Sequence, residues 1–282
     1  MGGPFTCLSA RAPTFKLTAI GSSTLGGLGR AVLRGGGYFL DLLFLAYLAF
    51  RELFHLHGPS RRETLRVIHR QILFTGLDAL PLLGRIALMI GLTVIVQAVT
   101  LLPQVGGEEM LGRVMVLVII RELGPLLTAI VVVGRSGSAI ATELGNMRVA
   151  QETDALIVMG ISPIRLIVLP RLAGVVLSVI CLTLYFDVIA IIGGFIIAGL
   201  KLTIPFKVFI GNILSALTFT DLFIFLIKSP LFGIVIASVC CYHGLSVRRS
   251  LTEVPQQTTR AIVNSIALSL FLNMIITSLV YL

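Results

Sequence analysis

The chain has 282 residues, of which 56% are hydrophobic and only 12% are charged, and its mean hydropathy is +1.03. Such a composition excludes an ordinary soluble domain and points to a polytopic membrane protein. The net charge of +9, from 22 Lys and Arg against 13 Asp and Glu, reads as a membrane-topology signal and not as a nucleic-acid-binding surface.

Residues 1–37 carry Arg11, Lys16, Arg30 and Arg34 among Ser, Thr and Gly, with no acidic residue before Asp41 and no contiguous apolar core. They do not form a conventional secretory signal; a flexible extension is expected, and an organellar transit segment stays open. Met1 to Thr6 fits the short myristoylation pattern, which is loose enough to match by chance. From Tyr38 to Leu56 the apolar run is short and contains Asp41, which predicts an interfacial or re-entrant helix in preference to a sixth span. Ser60-Arg61-Arg62-Glu63 can form a capping box, followed by Leu65, Ile68, Ile72 and Leu73 opposite Arg62, Arg66, His69 and Arg70. This basic amphipathic helix suits an anionic membrane surface.

A membrane span needs about 20 apolar residues. Residues 82–102, 172–199, 222–242 and 261–282 qualify, and 113–141 makes a fifth span if its charges are tolerated. Lipid offers backbone groups no hydrogen-bond partner, so the fold class is all-α. The chain thus divides into the extension at 1–37, interfacial and amphipathic helices at 38–80, and a transmembrane domain at 81–282. With a cytoplasmic N-terminus, sixteen of the 22 basic residues lie on the cytoplasmic side; Arg113, Lys201, Lys207 and Lys228 are assigned to the other side, and Arg121 and Arg135 to the membrane.

Those two arginines sit in RELGPLLTAIVVVGRSGSAIATELG, residues 121–145. A charge at a bilayer centre costs about 2.5–3.5 kcal/mol even on a lenient scale, so each must be stabilised or used. On an ideal helix, a spacing of fourteen residues points Arg121 and Arg135 within about 40° of each other. Gly134, Gly137, Ser138, Ala141 and Gly145 offer a small-residue surface for a neighbouring helix. Arg121, Glu122 and Asp187 either pair inside the bundle or line a polar cavity that receives lipid headgroups, and both can hold. Pro125 frees a carbonyl and can kink its helix.

Between the second and third spans, QETDALIVMG, residues 151–160, predicts a short amphipathic helix. Gln151 precedes Glu152 and Asp154, which favour a helix N-terminus; Ala155, Leu156 and Met159 supply an apolar face, and Gly160 ends it before Ser162-Pro163. So short a helix needs something to dock on, either its own bundle or a groove on a partner.

There is no phosphate-binding Gly-x-x-x-x-Gly-Lys-Ser/Thr loop, no Gly-x-Ser-x-Gly elbow and no His-Glu-x-x-His pair. The chain cannot be its own P-loop ATPase, and it is not expected to be an enzyme or to bind a cofactor. The four cysteines show no metal-site spacing and suggest no disulfide framework, and the four histidines are scattered.

Residues 121–171, RELGPLLTAIVVVGRSGSAIATELGNMRVAQETDALIVMGISPIRLIVLPR, closely resemble the signature region of the MlaE (YrbE) family, permease subunits of MCE-type lipid ABC transporters. The likeness extends to GLDALPLLGRIALMIGLTVIVQ at 76–97 and to CCYHGLSVRR and TTRAIVNSIALSLFLNMIITSLVYL between 240 and 282. The resemblance implies a homodimer, each copy with an interfacial elbow helix and five spans. Its partners would be two cytoplasmic P-loop ATPase subunits that bind ATP and Mg, an extracytoplasmic MCE-domain ring, and a STAS-domain protein as a further candidate. It also implies a phospholipid substrate, a role in outer-membrane lipid asymmetry, Gln151 to Gly160 as the coupling helix, and Arg121 and Glu122 near the lipid cavity. Gln151 departs from the acidic residue of the family pattern, which shifts the expected ATPase contacts to Glu152 and Asp154. The first 35 or so residues have no counterpart in the family.

The rival readings are an ion-coupled secondary transporter using Glu122 and Asp187, and a non-transporting scaffold for an MCE assembly. The first usually shows two repeated halves, which are absent here. The expected location is a bacterial inner membrane, with a plastid envelope second.

Overall fold

The computed structural model describes residues 24–54, 60–105, 109–202, 205–248 and 250–281. All regular elements among them are helical. Helix α1 spans Thr24–Phe54; α2, Ser60–Gly76, passes through a 3₁₀ turn at Leu77–Ala79 into α3, Leu80–Val105. Helix α4, residues 109–149, is α-helical at Glu109–Val114, Gly124–Val132 and Ser138–Val149 and π-helical at Met115–Leu123 and Val133–Gly137. Then come α5, Glu152–Val158; α6, Leu169–Leu202, entered through a π-helical turn at Ile164–Val168; α7, Phe206–Ala216; α8, Phe219–Leu245; and α9, Glu253–Tyr281.

Among the described residues, five stretches are long and apolar enough to cross a membrane: Leu65–Thr100, Gly112–Val149, Ile164–Leu200, Phe219–Leu245 and Glu253–Val280. The chain is a multi-pass membrane protein. The first span starts earlier than the sequence predicts, because the expected surface helix α2 runs on into α3 instead of ending before it. Helix α2 packs along α6, where a Cβ on Gly174 would lie 2.7 Å from the Cβ of Gln71. Its basic residues Arg66, His69 and Arg70 remain exposed. The side chains of the Ser60–Glu63 capping box lie outside the described residues.

Among the described helices, the interface between α3 and α6 is the most extensive. It depends on close backbone approach: a Cβ on Gly193 would sit 2.8 Å from the carbonyl oxygen of Leu88. Phe186, Val175, Ile236, Phe232 and Leu144 fill a continuous core shared by α4, α6 and α8. Helix α9 is the least embedded of the five spans.

Helix α1 begins at Thr24, so residues 24–37, expected to be flexible, are helical. Gly35, Gly36 and Gly37 argued against a helix there, at about 0.8–1 kcal/mol each relative to Ala. Gly36 and Gly37 are exposed, and the helix is packed only beyond them: Leu42, Leu45 and Ala49 are buried at helical spacing, and Phe39, Leu43, Phe44 and Tyr47 face outward. The helix is anchored by Tyr38, whose ring meets Tyr242 edge-on at 5.3 Å. Its hydroxyl donates to His243 Nε2 at 3.2 Å. Asn264 Nδ2 also donates to that nitrogen at 3.0 Å, leaving Nδ1–H to donate to Gln257 Oε1 at 3.1 Å. Burial pushes the Tyr38 phenol up to about 12, which keeps it a neutral donor. The residues of the expected extension before Thr24, with its basic residues Arg11 and Lys16, lie outside the described residues.

Candidate functional site: an intramembrane ion-pair network

Arg121 and Glu122 leave α4 on its first π-helical stretch, a local widening that is frequent at functional sites. Arg121 Nε donates to Asp221 Oδ1, an ion pair between α4 and α8. Asp221 is fixed at the start of α8, where its Oδ2 accepts from the Thr218 backbone N–H at 2.8 Å as half of a capping box. Glu122 turns toward α8 and α9. Lys228 Nζ donates to its Oε1 at 2.9 Å, as does Thr277 Oγ1 at 2.8 Å, and Asn273 Nδ2 donates to its Oε2 at 2.8 Å. Lys228 Nζ also donates to the Arg121 carbonyl at 2.9 Å and to Thr277 Oγ1 at 3.2 Å.

Two cations and two carboxylates are thus cross-linked with two neutral polar side chains across three spans. Each charge has an opposite partner and hydrogen bonds, the condition for ions to persist in a low-dielectric interior. The network is not sealed: the Arg121 and Glu122 side chains remain 16% and 31% exposed, while Lys228 and Asp221 are buried. It can therefore present a guanidinium and a carboxylate to an amphiphile without exposing unpaired charge to lipid.

Lys228 corrects the charge assignment. Counted among the basic residues outside the membrane, it is instead fully buried within α8. Its ammonium is retained there because Glu122, Thr277 and the Arg121 carbonyl receive its three N–H donors. Asp221, Asn273 and Thr277 carried no signal in the sequence, since each lies at least 100 residues from its partner on α4. Lys228 did carry one, as a cation interrupting an apolar run.

Arg135 belongs elsewhere. Its Nη2 pairs with Asp78 Oδ2 at 3.1 Å, Nη1 donates to the Phe74 carbonyl at 3.3 Å, and its guanidinium lies 5.6 Å from the centre of the Phe74 ring. Arg121 and Arg135 thus belong to two separate sites, each arginine pairing with its own acid. Asp187 also stands apart from the network, buried on α6 against Gly124 and with no hydrogen-bond partner for its Oδ1.

The small residues of α4 divide. Gly137 faces Cys240 and Ile236, Ala141 backs onto Gly244, and Gly145 meets Val254 and Val247, so these three allow α8 and α9 to approach. Gly134, expected on the same surface, has nothing within 4 Å of where its Cβ would be. Ser138 turns its hydroxyl back to the Gly134 carbonyl at 2.6 Å, because a mid-helix serine in lipid finds its acceptor one turn earlier.

Helix α5 leaves the bundle between two left-handed residues, Gln151 at φ 60° and Gly160 at φ 75°. Arg148 steadies it, pairing with Asp154 and donating to Thr153 Oγ1 at 2.9 Å. Leu156 packs toward the core, while Ala155, Ile157, Val158 and Met159 project outward, with Val158 88% exposed. Glu152 is exposed, and Asp154, expected to be available for a partner, already has Arg148. Glu143 on α4 meets Arg171 on α6 at 2.9 Å, bracing the connection that carries α5. Among the described residues no cluster of His, Cys, Asp and Glu could hold a metal.

The sequence model of the family described as Permease MlaE matches residues 68–279, which contain the network and α5. A probable ABC transporter permease protein of Rickettsia typhi is 33% identical over 77% of this chain and 84% of its own. An intermembrane phospholipid transport system permease protein, MlaE of Haemophilus influenzae, is 25% identical over 91% of this chain and 97% of its own. The chloroplastic protein TRIGALACTOSYLDIACYLGLYCEROL 1 of Arabidopsis thaliana is 31% identical over 73% of this chain and 57% of its own. With three-quarters of its length matched, from the first span to the last, this chain belongs to the MlaE permease family.

Proposed function

We propose that this chain is the membrane subunit of an ATP-driven phospholipid transporter. It works as a homodimer with two cytoplasmic P-loop ATPase subunits, which bind the ATP and Mg, and with an extracytoplasmic MCE-domain ring. Its place is a bacterial inner membrane with the N-terminus in the cytoplasm. The observation that carries the reading is the network of Arg121, Glu122, Asp221 and Lys228, kept within the spans and open at Arg121 and Glu122. A phosphate headgroup competes with Asp221 for the Arg121 guanidinium through charge-assisted hydrogen bonds, and Lys228 keeps Glu122 neutralised while it does so. The permease named for phospholipid transport in Haemophilus influenzae supports the substrate class.

The outward face of α5, Ile157, Val158 and Met159, is the surface offered to the ATPase. The thinly embedded helix α9 is the surface offered to a second copy. In this reading nucleotide-driven movement of α5 passes through the connection braced by Glu143 and Arg171 to α4 and α6, which opens or squeezes the lipid path. The test is co-purification: Arg121→Ala should lower the phospholipid retained by the assembled complex, and an unchanged lipid content with normal transport would remove the headgroup role. The lone carboxyl of Asp187 is what favours an ion-coupled carrier instead; transport without nucleotide would select that reading.

A further inference from the structure

Beside the network, a cavity of about 390 Å³ opens between α6, the turn before α8, and α8. Its size and lining fit a small-molecule site, which typically measures about 300–1,000 Å³ and joins apolar walls to a few polar groups. The walls are Leu184, Val188, Leu222 and Phe225, with Asp187 and Asp221 as the acidic groups. Leu184, Val188 and Leu222 are each more than half exposed on the outside of the bundle. The mouth therefore faces acyl chains.

The two acids differ in what they have left to bind. Asp221 is satisfied, with Oδ1 on Arg121 and Oδ2 on the Thr218 N–H. Asp187 lines the cavity and is only 6% exposed; its Oδ1 is pressed against Gly124 with no hydrogen-bond partner. A carboxyl buried in an apolar wall without a partner is unfavourable, and a donor brought in through the cavity would relieve it. A metal ion does not fit, because hard cations require about six oxygen ligands and the cavity offers one uncommitted carboxyl.

We propose that this cavity is a lateral lipid site, separate from the Arg121 headgroup position, that takes an amphiphile with a primary ammonium head and an apolar chain. The ammonium sits on Asp187 as a charge-assisted donor and the chain lies along Leu184, Val188 and Leu222. An aminophospholipid and a free long-chain amine share this chemistry.

Native mass spectrometry of the full chain in mild detergent, with added lipids in pairwise competition, tests it. The protein should retain phosphatidylethanolamine over phosphatidylglycerol, or hexadecylamine over hexadecanol, by about tenfold, the usual scale of one charge-assisted contact. The pair that shows the preference identifies the source as phospholipid or free amine. Asp187→Asn, which keeps the side chain's shape, should abolish the preference. Leu222→Trp, which fills the mouth and leaves the carboxyl in place, should reduce retention of the amine-bearing lipid by a similar factor. Equal retention of amine and non-amine lipids, a preference that survives Asp187→Asn, or retention untouched by Leu222→Trp would each overturn the proposal, the first of them leaving Asp187 as a protonated carboxyl only. None of these readouts needs nucleotide or a partner subunit, so the site stands or falls independently of the transport reading.

Discussion

Lys228 and Glu122 make the energetics of the network testable one side chain at a time. Removing one member of a fully buried ion pair costs about 3–5 kcal/mol, because the other charge is stranded. Glu122 is 31% exposed and retains Asn273 and Thr277, so Lys228→Met should cost less, about 2 kcal/mol. Adding Glu122→Gln should recover most of the loss, and a double-mutant cycle by unfolding in mixed micelles would measure the coupling. Arg135→Ala should cost under about 1 kcal/mol, since its partner Asp78 is 56% exposed. The sequence showed which residues were anomalous: Arg121, Glu122, Arg135 and Asp187 stood out as charges in apolar runs. It could not show who pairs with whom, because Asp221, Asn273 and Thr277 reach α4 only through the packing of spans far apart in the chain.

Among the elements, α5 and α1 illustrate what periodicity can and cannot convey. The ends of α5 were legible, with acids at its start and glycine at its finish, and the structure places left-handed backbone at Gln151 and Gly160. Gln151→Gly should therefore relieve part of a strain of about 1 kcal/mol, whereas Gly160→Ala should add a similar amount, both readable as shifts in unfolding midpoint. Val158→Asp combined with Met159→Glu alters only exposed side chains. Stability should hold within about 0.5 kcal/mol while the ATPase is lost from pull-downs; full retention of the ATPase would exclude α5 as the coupling element. The docking of α1 was not legible, because its glycines argue locally against a helix. Tyr38→Phe removes the hydroxyl donated to His243 and should weaken that docking by about 1 kcal/mol, seen as faster hydrogen exchange in α1. Nor do the π-helical turns at Met115–Leu123 and Val133–Gly137 leave a mark in hydrophobic spacing.

At the scale of the whole molecule, the five spans and the all-helical architecture follow from the bilayer as solvent: lipid permits few spanning structures, and apolar length nearly specifies the count. The span boundaries were less legible where a basic amphipathic stretch joins an apolar one, as α2 does with α3. We propose that the network of Arg121, Glu122, Asp221 and Lys228 lies on an ATP-driven phospholipid path. The most direct measurement is transfer of labelled phospholipid in proteoliposomes containing this chain assembled with its ATPase subunits and MCE-domain partner, with and without hydrolysable nucleotide, for the native chain and Arg121→Ala. Transfer should depend on nucleotide, and Arg121→Ala should lower it about tenfold or more while the complex stays assembled, the loss of a charge-assisted contact. Transfer that ignores nucleotide, or that Arg121→Ala leaves unchanged, would contradict it.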